Sequence, residues 1–275
     1  MSNVYSKWLL VSDIDGTLNN KKRRLPSNNK VAIEGFVYKG GNFTLCSGRN
    51  LQSLTPHYKN LNLKTPAICM NGAIIYDFCK DSVVKYSTIS KEGERILLDL
   101  CKQFKSIQLA VFDLSTIYSY GLINFYGLCV SLLDGLNHKT CFSVDSLPKD
   151  GWGKATIFGF PAVCKKVYTF LTNEKNSEIF DCFFTSPFTI DIAAKGVNKG
   201  YAVEYLTEYL GVDKGNVAAI GDYFNDEAML RSVSHPVCCG QAPNEIKELC
   251  EYVTCHCNDG AVNDFINYIE KNYIL

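Results

Sequence analysis

The sequence predicts an α/β fold in which a Rossmann-like, doubly wound parallel sheet forms the core and an α+β domain is inserted into it. Short apolar runs end at small polar turns and are followed by helical patterns, which predicts parallel strands joined by helices. A segment of helix and hairpin patterns without acidic clusters interrupts this alternation and predicts the insertion. We therefore expect the core to comprise residues 1–81 and 188–275, and the inserted domain residues 82–187.

Composition limits the classes of partner. The chain has 275 residues, with 28 Lys and Arg against 28 Asp and Glu, and a formal net charge of zero argues against nucleic-acid or membrane-surface partners. The basic run at residues 21–24 is short, and we interpret it as a solvated loop. A signal-peptide pattern and an apolar stretch of about 18 residues are both missing from the sequence. We expect a cytoplasmic protein that is a monomer or a weak homo-oligomer.

The 13 cysteines are an odd number and are scattered along the chain, which favours reduced thiols over a disulfide framework. Cys255, His256 and Cys257, and the pair Cys238 and Cys239, suggest a metal site. However, a second ligand pair at zinc-finger spacing is missing from the sequence, so we favour structural thiols.

The secondary-structure pattern follows from apolar runs for strands and from amphipathic spacing for helices, with Ser27 expected to cap the first helix. The predicted strands cover residues 8–11, 42–46, 67–70, 73–78, 82–87, 108–112, 116–120, 154–160, 179–184, 189–193, 217–220, 236–239 and 252–253. The predicted helices cover residues 27–38, 51–58, 91–104, 122–136, 163–173, 199–210 and 245–250, with a last helix from residue 261.

Two carboxylates stand where the first strand stops. Asp13 and Asp15 are two residues apart, so on an extended chain they point the same way, and Gly16 then permits a sharp exit. Open α/β sheets bind ligands beyond the carboxyl ends of their strands. Such a pair can supply a nucleophile and a general acid, and with a further acid can hold Mg²⁺. The alternative is an acidic turn without chemistry.

Polar groups also follow the next strands. Ser47 and Gly48 end the second strand before a helix, an arrangement that favours binding of phosphate, although Ser47 can also be a simple helix cap. Asn71 follows the third strand, where Asn-Gly is also a common turn. After the insertion, Lys199 begins a helix, and a compact strand ends at Asp222 with Asp226 four residues later.

Together these motifs resemble the haloacid dehalogenase superfamily of phosphotransferases, in its Cof-type branch. The resemblance is carried, in order and spacing, by DIDGTL at 13–18, SGR at 47–49, NG at 71–72, NKG at 198–200 and GDYFND at 221–226. It covers essentially the whole chain, and the insertion matches the cap of this branch in position and length. A cap closes over the site and reads the leaving alcohol.

The resemblance implies a role for each matching residue. Asp13 would attack phosphorus, and Asp15 would protonate the leaving alcohol and then activate water. Lys199 would hold the nucleophile. The remaining roles implied are phosphoryl binding by Ser47 and Gly48, Mg²⁺ binding by Asp13, Asp222 and the carbonyl of Asp15, support of the metal shell by Asp226, and contacts on the phosphate side by Asn71 and Asn225.

The implied function is a Mg²⁺-dependent phosphatase that hydrolyses monoesters of small metabolites through an aspartyl-phosphate. Sugar phosphates, nucleotides and cofactor phosphates are the implied substrates. A phosphomutase of the phosphomannomutase type and a non-catalytic metabolite-binding protein are the alternatives. Residues of the insertion that could face a substrate, or only pack, are Tyr118, Tyr120, Asn124, Tyr126, His138 and Trp152.

Overall fold

The structure is a computed structural model that describes residues 4–121 and 137–274. The strands in chain order are β1 (Leu9–Ser12), β2 (Asn42–Leu45), β3 (Ala67–Cys69), β4 (Ile74–Asp77), β5 (Ser82–Tyr86), β6 (Gln108–Phe112), β7 (Thr116–Tyr120), β8 (Asn137–Cys141), β9 (Lys154–Phe158), β10 (Phe180–Ser186), β11 (Thr189–Ala194), β12 (Val217–Gly221), β13 (His235–Cys238) and β14 (Tyr252–Val253). The α-helices are α1 (Ser27–Tyr38), α2 (Leu51–Asn60), α3 (Lys91–Gln103), α4 (Pro161–Leu171), α5 (Lys199–Leu210), α6 (Glu227–Arg231), α7 (Asn244–Lys247) and α8 (Ala261–Ile269).

The chain divides into two compact units. The core unit comprises Met1–Arg49, Leu54–Val84 and Asn198–Leu275, and the inserted unit comprises Asn50–Ser53 and Lys85–Val197. Within the described residues, no helix is both long enough and apolar enough to span a bilayer.

The core unit is built on a parallel sheet with the strand order β14-β13-β12-β1-β2. β1 lies between β12 and β2 and pairs in parallel with both. All four of its residues are buried, as expected for a central strand that is covered on both faces. Leu9 and Val11 pack with Val203 and Leu206 of α5 on one face, while α1 and α8 pack together on the sheet as a second helical layer. The predicted α/β fold with a parallel sheet is confirmed.

The third predicted strand is a partial exception to the parallel plan. Cys46, the residue after β2, forms an isolated parallel bridge with Ile68 of β3, and β3 belongs to a separate sheet in the order β3-β4-β5. β3 and β4 are antiparallel and are joined by the turn that contains Asn71. The polar turn after β3 therefore stays beside the turn after β2.

The inserted unit contains a sheet with the strand order β10-β11-β9-β6-β7-β8. Its core includes Leu97 and Leu100 of α3, Val167 of α4 and the fully buried Trp152. Ser90 caps α3 by accepting from the backbone N–H of Gly93 at 3.1 Å. The unit is thus an antiparallel-rich sheet with helices packed on it.

The predicted second boundary at residue 188 differs from the structure. β11 pairs with β9 on one side and with β10 on the other, so the inserted unit continues to Val197. The core unit likewise extends to Val84 instead of residue 81. Strand pairing places β11 in the inserted unit, and the pairing partners of β11 were not evident from its own sequence.

The structure differs from the sequence prediction at two elements, and a third predicted element lies outside the described residues. The residue before α1 is Pro26, so Ser27 is the first helical residue and does not cap the helix. β8 was not predicted, because its sequence NHKTC lacks an apolar alternation. The predicted helix at 122–136, with Asn124 and Tyr126, lies outside the described residues.

Candidate active site

A buried lysine joins two carboxylates at the carboxyl ends of β1 and β12. Lys199 donates from Nζ to Oδ1 of Asp13 at 2.6 Å and to Oδ1 of Asp226 at 2.5 Å. Asp13 directly follows β1, and its backbone N–H donates to the carbonyl of Ile220 in β12 at 3.0 Å. Parallel pairing of the two strands therefore fixes the backbone that carries Asp13, and the first turn of α5 supplies its cation.

Asp226 holds the turn that follows β12. Its Oδ2 accepts from the backbone N–H groups of Asp222 at 2.9 Å and Tyr223 at 3.2 Å. Since Oδ1 accepts from Lys199, both oxygens of this buried carboxylate are engaged. Asp226 thereby fixes the position of Lys199 with one oxygen and the backbone of Asp222 with the other.

Asp222 approaches the loop after β1 very closely. Its Oδ1 accepts from Thr17 Oγ1 at 3.1 Å. Gly16 has a φ of +91°, and a Cβ there would lie 2.5 Å from Oδ2 of Asp222. Only glycine accommodates both the left-handed backbone and this approach. Gly16 of the DIDGTL motif thus leaves room for the carboxylate of Asp222 in the GDYFND motif.

Three of these carboxylates converge on one space. Asp13, Asp222 and Asp226 each offer an oxygen, and these oxygens lie within 4.8 Å of one another; among the described residues, no other group of three His, Cys, Asp or Glu side chains was found to do so. The alternative of a thiol-rich metal site at Cys238–Cys239 and Cys255–Cys257, which the sequence analysis did not favour, is not assembled among these residues. Hard carboxylate oxygens are the ligands that Mg²⁺ prefers.

The charges in this cluster do not balance. Burial raises the pKa of Asp13 to about 8, with Asp226 and Asp222 adding to the effect of burial and Lys199 opposing it. Burial and Asp226 raise the pKa of Asp222 to about 6. For Lys199, burial favours loss of the proton, but Asp13 and Asp226 outweigh it and keep the pKa above its ordinary value. Three carboxylates thus face one ammonium, an excess that a divalent cation would neutralise.

Asp15 has a different partner. Arg49 donates from Nε to Oδ2 and from Nη2 to Oδ1 of Asp15, both at 2.7 Å, in a bidentate ion pair. Burial would raise the pKa of Asp15, but the hydrogen bonds and charge of Arg49 outweigh it, so the pKa lies below its ordinary value. The Asp15 side chain is 47 % exposed, whereas that of Asp13 is 6 % exposed. The two predicted catalytic carboxylates therefore lie in contrasting surroundings.

The turns after β2 and β3 interlock. The backbone N–H of Asn71 donates to the carbonyl of Ser47 at 3.0 Å, and that of Met70 donates to the carbonyl of Arg49 at 2.8 Å. Asn71 is left-handed, with a φ of 54° and a ψ of 31°. A side chain on Gly48 would lie 3.0 Å from Oδ1 of Asn71, a buried oxygen without a hydrogen-bond partner among the described residues. Ser47, Gly48 and Asn71 thus form one polar corner next to β1.

Gly72 connects this corner to the lysine. Its φ is +104°, and a Cβ there would collide with the carbonyl oxygen of Asn198. Asn198 caps α5 by accepting from the backbone N–H of Tyr201 at 3.0 Å. The Asn-Gly turn thereby allows the start of α5, and with it Lys199, to approach the end of β3.

Several residues at this edge were missed by sequence reasoning. Gln241 donates from Nε2 to the carbonyl of Gly16 at 2.5 Å and accepts from the backbone N–H of Cys257 at 3.0 Å. It follows β13, so the rule that polar groups follow strands could have found it. Thr17 lies inside the DIDGTL motif, and Arg49 inside the SGR motif, but neither had been given a partner.

The predicted residues lie in several different surroundings. Asp13, Lys199, Asp222 and Asp226 form the charged cluster, and Ser47, Gly48 and Asn71 form the neighbouring corner. Asp15 is paired with Arg49, and Asn225 is exposed in the turn after β12. In the inserted unit, Trp152 is a core residue that donates to the carbonyl of Pro148, and Tyr118 and Tyr120 pack against that core, while His138 bonds Ser119. The catalytic and binding roles of all these residues stay predictions.

Comparison with protein families supplies an independent test. A family model described as haloacid dehalogenase-like hydrolase matches residues 10–266. The chain is 27% identical over 271 residues to the 5-amino-6-(5-phospho-D-ribitylamino)uracil phosphatase YcsE of Bacillus subtilis, covering 97% of this chain and 96% of the relative. It is 25% identical over 244 residues to the pyridoxal phosphate phosphatase YbhA of Escherichia coli, covering 87% and 90%.

The fold is shared with solved structures. A haloacid dehalogenase-like hydrolase from Bacteroides thetaiotaomicron superimposes with a TM-score of 0.85 at 21% identity, covering 95% of this chain and 99% of the other. These findings confirm the resemblance read from the motifs and the predicted class of enzyme.

Proposed function

Because this chain belongs to the haloacid dehalogenase-like hydrolase family, we propose that it is a Mg²⁺-dependent phosphatase acting on small phosphorylated metabolites through an aspartyl-phosphate. The observation that carries this proposal is the buried Asp13, held at 2.6 Å by Lys199 beside Asp222 and Asp226. A buried carboxylate with a fixed cation is suited to be a nucleophile, because its geometry is set before substrate binds.

In the first half-reaction, a carboxylate oxygen of Asp13 attacks phosphorus and the bond from phosphorus to the ester oxygen breaks. Asp15 gives its proton to the leaving alcohol, which departs neutral. Because a carboxylate paired with Arg49 carries no proton to give, Asp15 must leave Arg49 and take up a proton from solvent before this step.

In the second half-reaction, Asp15 takes a proton from water, and the resulting nucleophile attacks phosphorus. The bond from phosphorus to Asp13 breaks, inorganic phosphate leaves and both aspartates return to their starting states. Ser47, Asn71, Asn225 and the backbone of Gly48 would donate to the phosphoryl oxygens, and Lys199 would offset their charge.

Asp13, Asp222 and the carbonyl of Asp15 would hold Mg²⁺, with Asp226 supporting Asp222 from behind. When bound, the ion supplies positive charge that offsets repulsion between Asp13 and the phosphate dianion. The carboxylate oxygens within 4.8 Å of one another and the excess negative charge of the cluster fit such an ion.

The substrates we propose are sugar phosphates, nucleotides or cofactor phosphates. The names of two relatives support this range, since one acts on a phosphoribitylamino-uracil and the other on pyridoxal phosphate. We also propose that the protein works in the cytoplasm as a monomer or weak homo-oligomer.

The test is phosphate release from a panel of these monoesters, with Mg²⁺ and with EDTA, by the wild type and by Asp13→Asn. We expect metal-dependent release that Asp13→Asn lowers by at least about 10⁴-fold, since an amide cannot replace the carboxylate as nucleophile. Asp145→Asn, at an exposed position of the inserted unit, is the matched control and should retain activity. Substantial turnover by Asp13→Asn would refute the assignment.

A further inference from the structure

A turn with four consecutive cations stands out in a chain of zero net charge. Lys21, Lys22, Arg23 and Arg24 are all exposed. Within residues 4–121 and 137–274, none of these four side chains forms an ion pair within 4.0 Å. The sequence alone indicates a solvated loop, but the fold places this run near the proposed active site.

The basic turn (residues 20–24) has a defined backbone. The N–H of Asn20 donates to the carbonyl of Arg24 at 2.9 Å, and that of Arg23 donates to the carbonyl of Asn20 at 2.8 Å. The side-chain oxygen of Asn20 accepts from the N–H groups of Lys22 at 2.9 Å and Arg24 at 3.0 Å. Arg23 itself is left-handed, with a φ of 56°. Four hydrogen bonds therefore present the cations on an ordered turn.

The basic turn is anchored beside the catalytic edge. Asn19, which precedes it, forms a bridge with Asp15, and its N–H donates to the carbonyl of Ile14 at 2.9 Å. On the other side, the N–H of Lys21 donates to Oδ1 of Asn258 at 3.0 Å. The basic turn thus begins one residue after the bridge to Asp15, the group proposed to protonate the leaving alcohol.

Two further observations place positive charge at the same carboxylate. Arg49 contacts both oxygens of Asp15, and the charge of Arg23 also acts on that carboxyl. The phosphoryl group itself would be met by Lys199 inside the buried cluster. The cations around Asp15 are therefore left for the other end of the substrate.

We propose that Arg23, together with Arg49 and the neighbouring lysines of the basic turn, binds a second anionic group on the leaving-group side of the substrate. The inference rests on the proposed phosphatase function and narrows its substrate class. The favoured substrates are phosphate monoesters whose alcohol carries a carboxylate or another phosphate. Exposed arginines bind either group through paired N–H donors.

The experiment compares substrates that differ by one anionic group. One pair is glycerol phosphate and phosphoglycerate, which adds a carboxylate, and the other is a hexose monophosphate and the matching bisphosphate, which adds a phosphate. The measured quantity is the ratio of kcat/KM within each pair, with Mg²⁺ and at constant ionic strength. The two pairs distinguish a carboxylate from a phosphate as the second group.

We expect the wild type to prefer the more anionic member of at least one pair, and Arg23→Gln to lower that ratio by about fivefold. Lys22→Gln should lower it less. Lys64→Gln is the matched control, because Lys64 is exposed and lies ahead of β3, away from the carboxyl ends of the strands. Its ratio should equal that of the wild type. Steering by net charge alone favours the more anionic member, and it would lower the ratio equally in Arg23→Gln and Lys64→Gln, which carry the same net charge.

Three outcomes oppose the inference in distinguishable ways. A wild-type ratio near one in both pairs, with Asp13-dependent release from each substrate, overturns the second anion site and leaves the phosphatase intact. An equal fall of the ratio in Arg23→Gln and Lys64→Gln shows a general charge effect and also overturns it. Release from none of the four substrates or of the wider panel overturns the proposed function and this inference together.

Discussion

At the scale of single residues, Arg49 controls the state of Asp15. Its two N–H groups hold both oxygens of Asp15 at 2.7 Å, a geometry that the ammonium of lysine cannot reproduce. In the proposed reaction, Asp15 matters most when the leaving alcohol needs a proton. The effect of Arg49 should therefore depend on the leaving group.

We predict that Arg49→Lys lowers kcat/KM, which reports the first half-reaction, by about tenfold or more on alkyl phosphates, because lysine cannot orient the Asp15 carboxyl, and much less on p-nitrophenyl phosphate, whose leaving group needs no acid. Loss of the ion pair should also raise the pKa of Asp15, so the limb of the pH–rate profile that Asp15 sets moves to higher pH. Arg231→Lys on the exposed surface of α6 is the control. Equal losses on both substrates would contradict an effect through Asp15.

The sequence predicted most of the polar side chains at this edge but few of their partners. Asp13, Lys199 and Asp222 follow or begin elements whose patterns are strong, so their meeting could be foreseen. The pairing of Asp15 with Arg49 could not, because it depends on the path of two loops. Gln241 was missed for a similar reason: its contact with Gly16 joins residues 225 positions apart.

At the scale of elements, the turn after β3 sets the position of α5. The left-handed φ of Gly72 and its contact with the carbonyl of Asn198 let the helix bring Lys199 to Asp13. Any side chain at Gly72 would have to displace the backbone at the start of α5. This turn therefore links stability to the geometry of the site.

We predict that Gly72→Ala lowers the free energy of unfolding by more than about 2 kcal/mol, from strained backbone and from collision with Asn198. Gly35→Ala in the last turn of α1 is the control. A Cβ at Gly35 meets no atom within 4 Å, so alanine there should raise the free energy of unfolding by about 0.5–1 kcal/mol. Chemical denaturation measures both, and opposite signs are expected. Similar small effects would show that the turn tolerates a side chain.

Elements with strong periodicity could be predicted from the sequence, and those specified by tertiary pairing could not. β6 and β7 have apolar alternation or buried runs, and their predicted bounds equal the observed ones. β8 is mostly polar and exists because it pairs in parallel with β7. β11 could be predicted as a strand, yet its membership in the inserted unit depends on β9 and β10.

At the scale of the whole molecule, the charged cluster links folding to pH and to the metal. The pKa of Asp13 is raised to about 8 and that of Asp222 to about 6, each from a value of 3.8. Between about pH 4 and pH 8, the folded state without metal therefore binds more protons than the unfolded state. Its stability therefore falls as the pH rises from about 4 towards 8.

A bound divalent cation favours the ionised carboxylates and should therefore prevent this loss of stability at higher pH. We predict that Mg²⁺ raises the Tm of the unit that contains the site, and that the rise is larger at pH 8 than at pH 6, because at pH 6 bound protons compete with the metal. Asp222→Asn should lose most of the rise at both pH values, whereas the exposed Asp145→Asn should keep it. Thermal unfolding with Mg²⁺ or EDTA measures the effect. A rise that is equal at the two pH values would show that proton release from these carboxylates does not accompany binding of the metal.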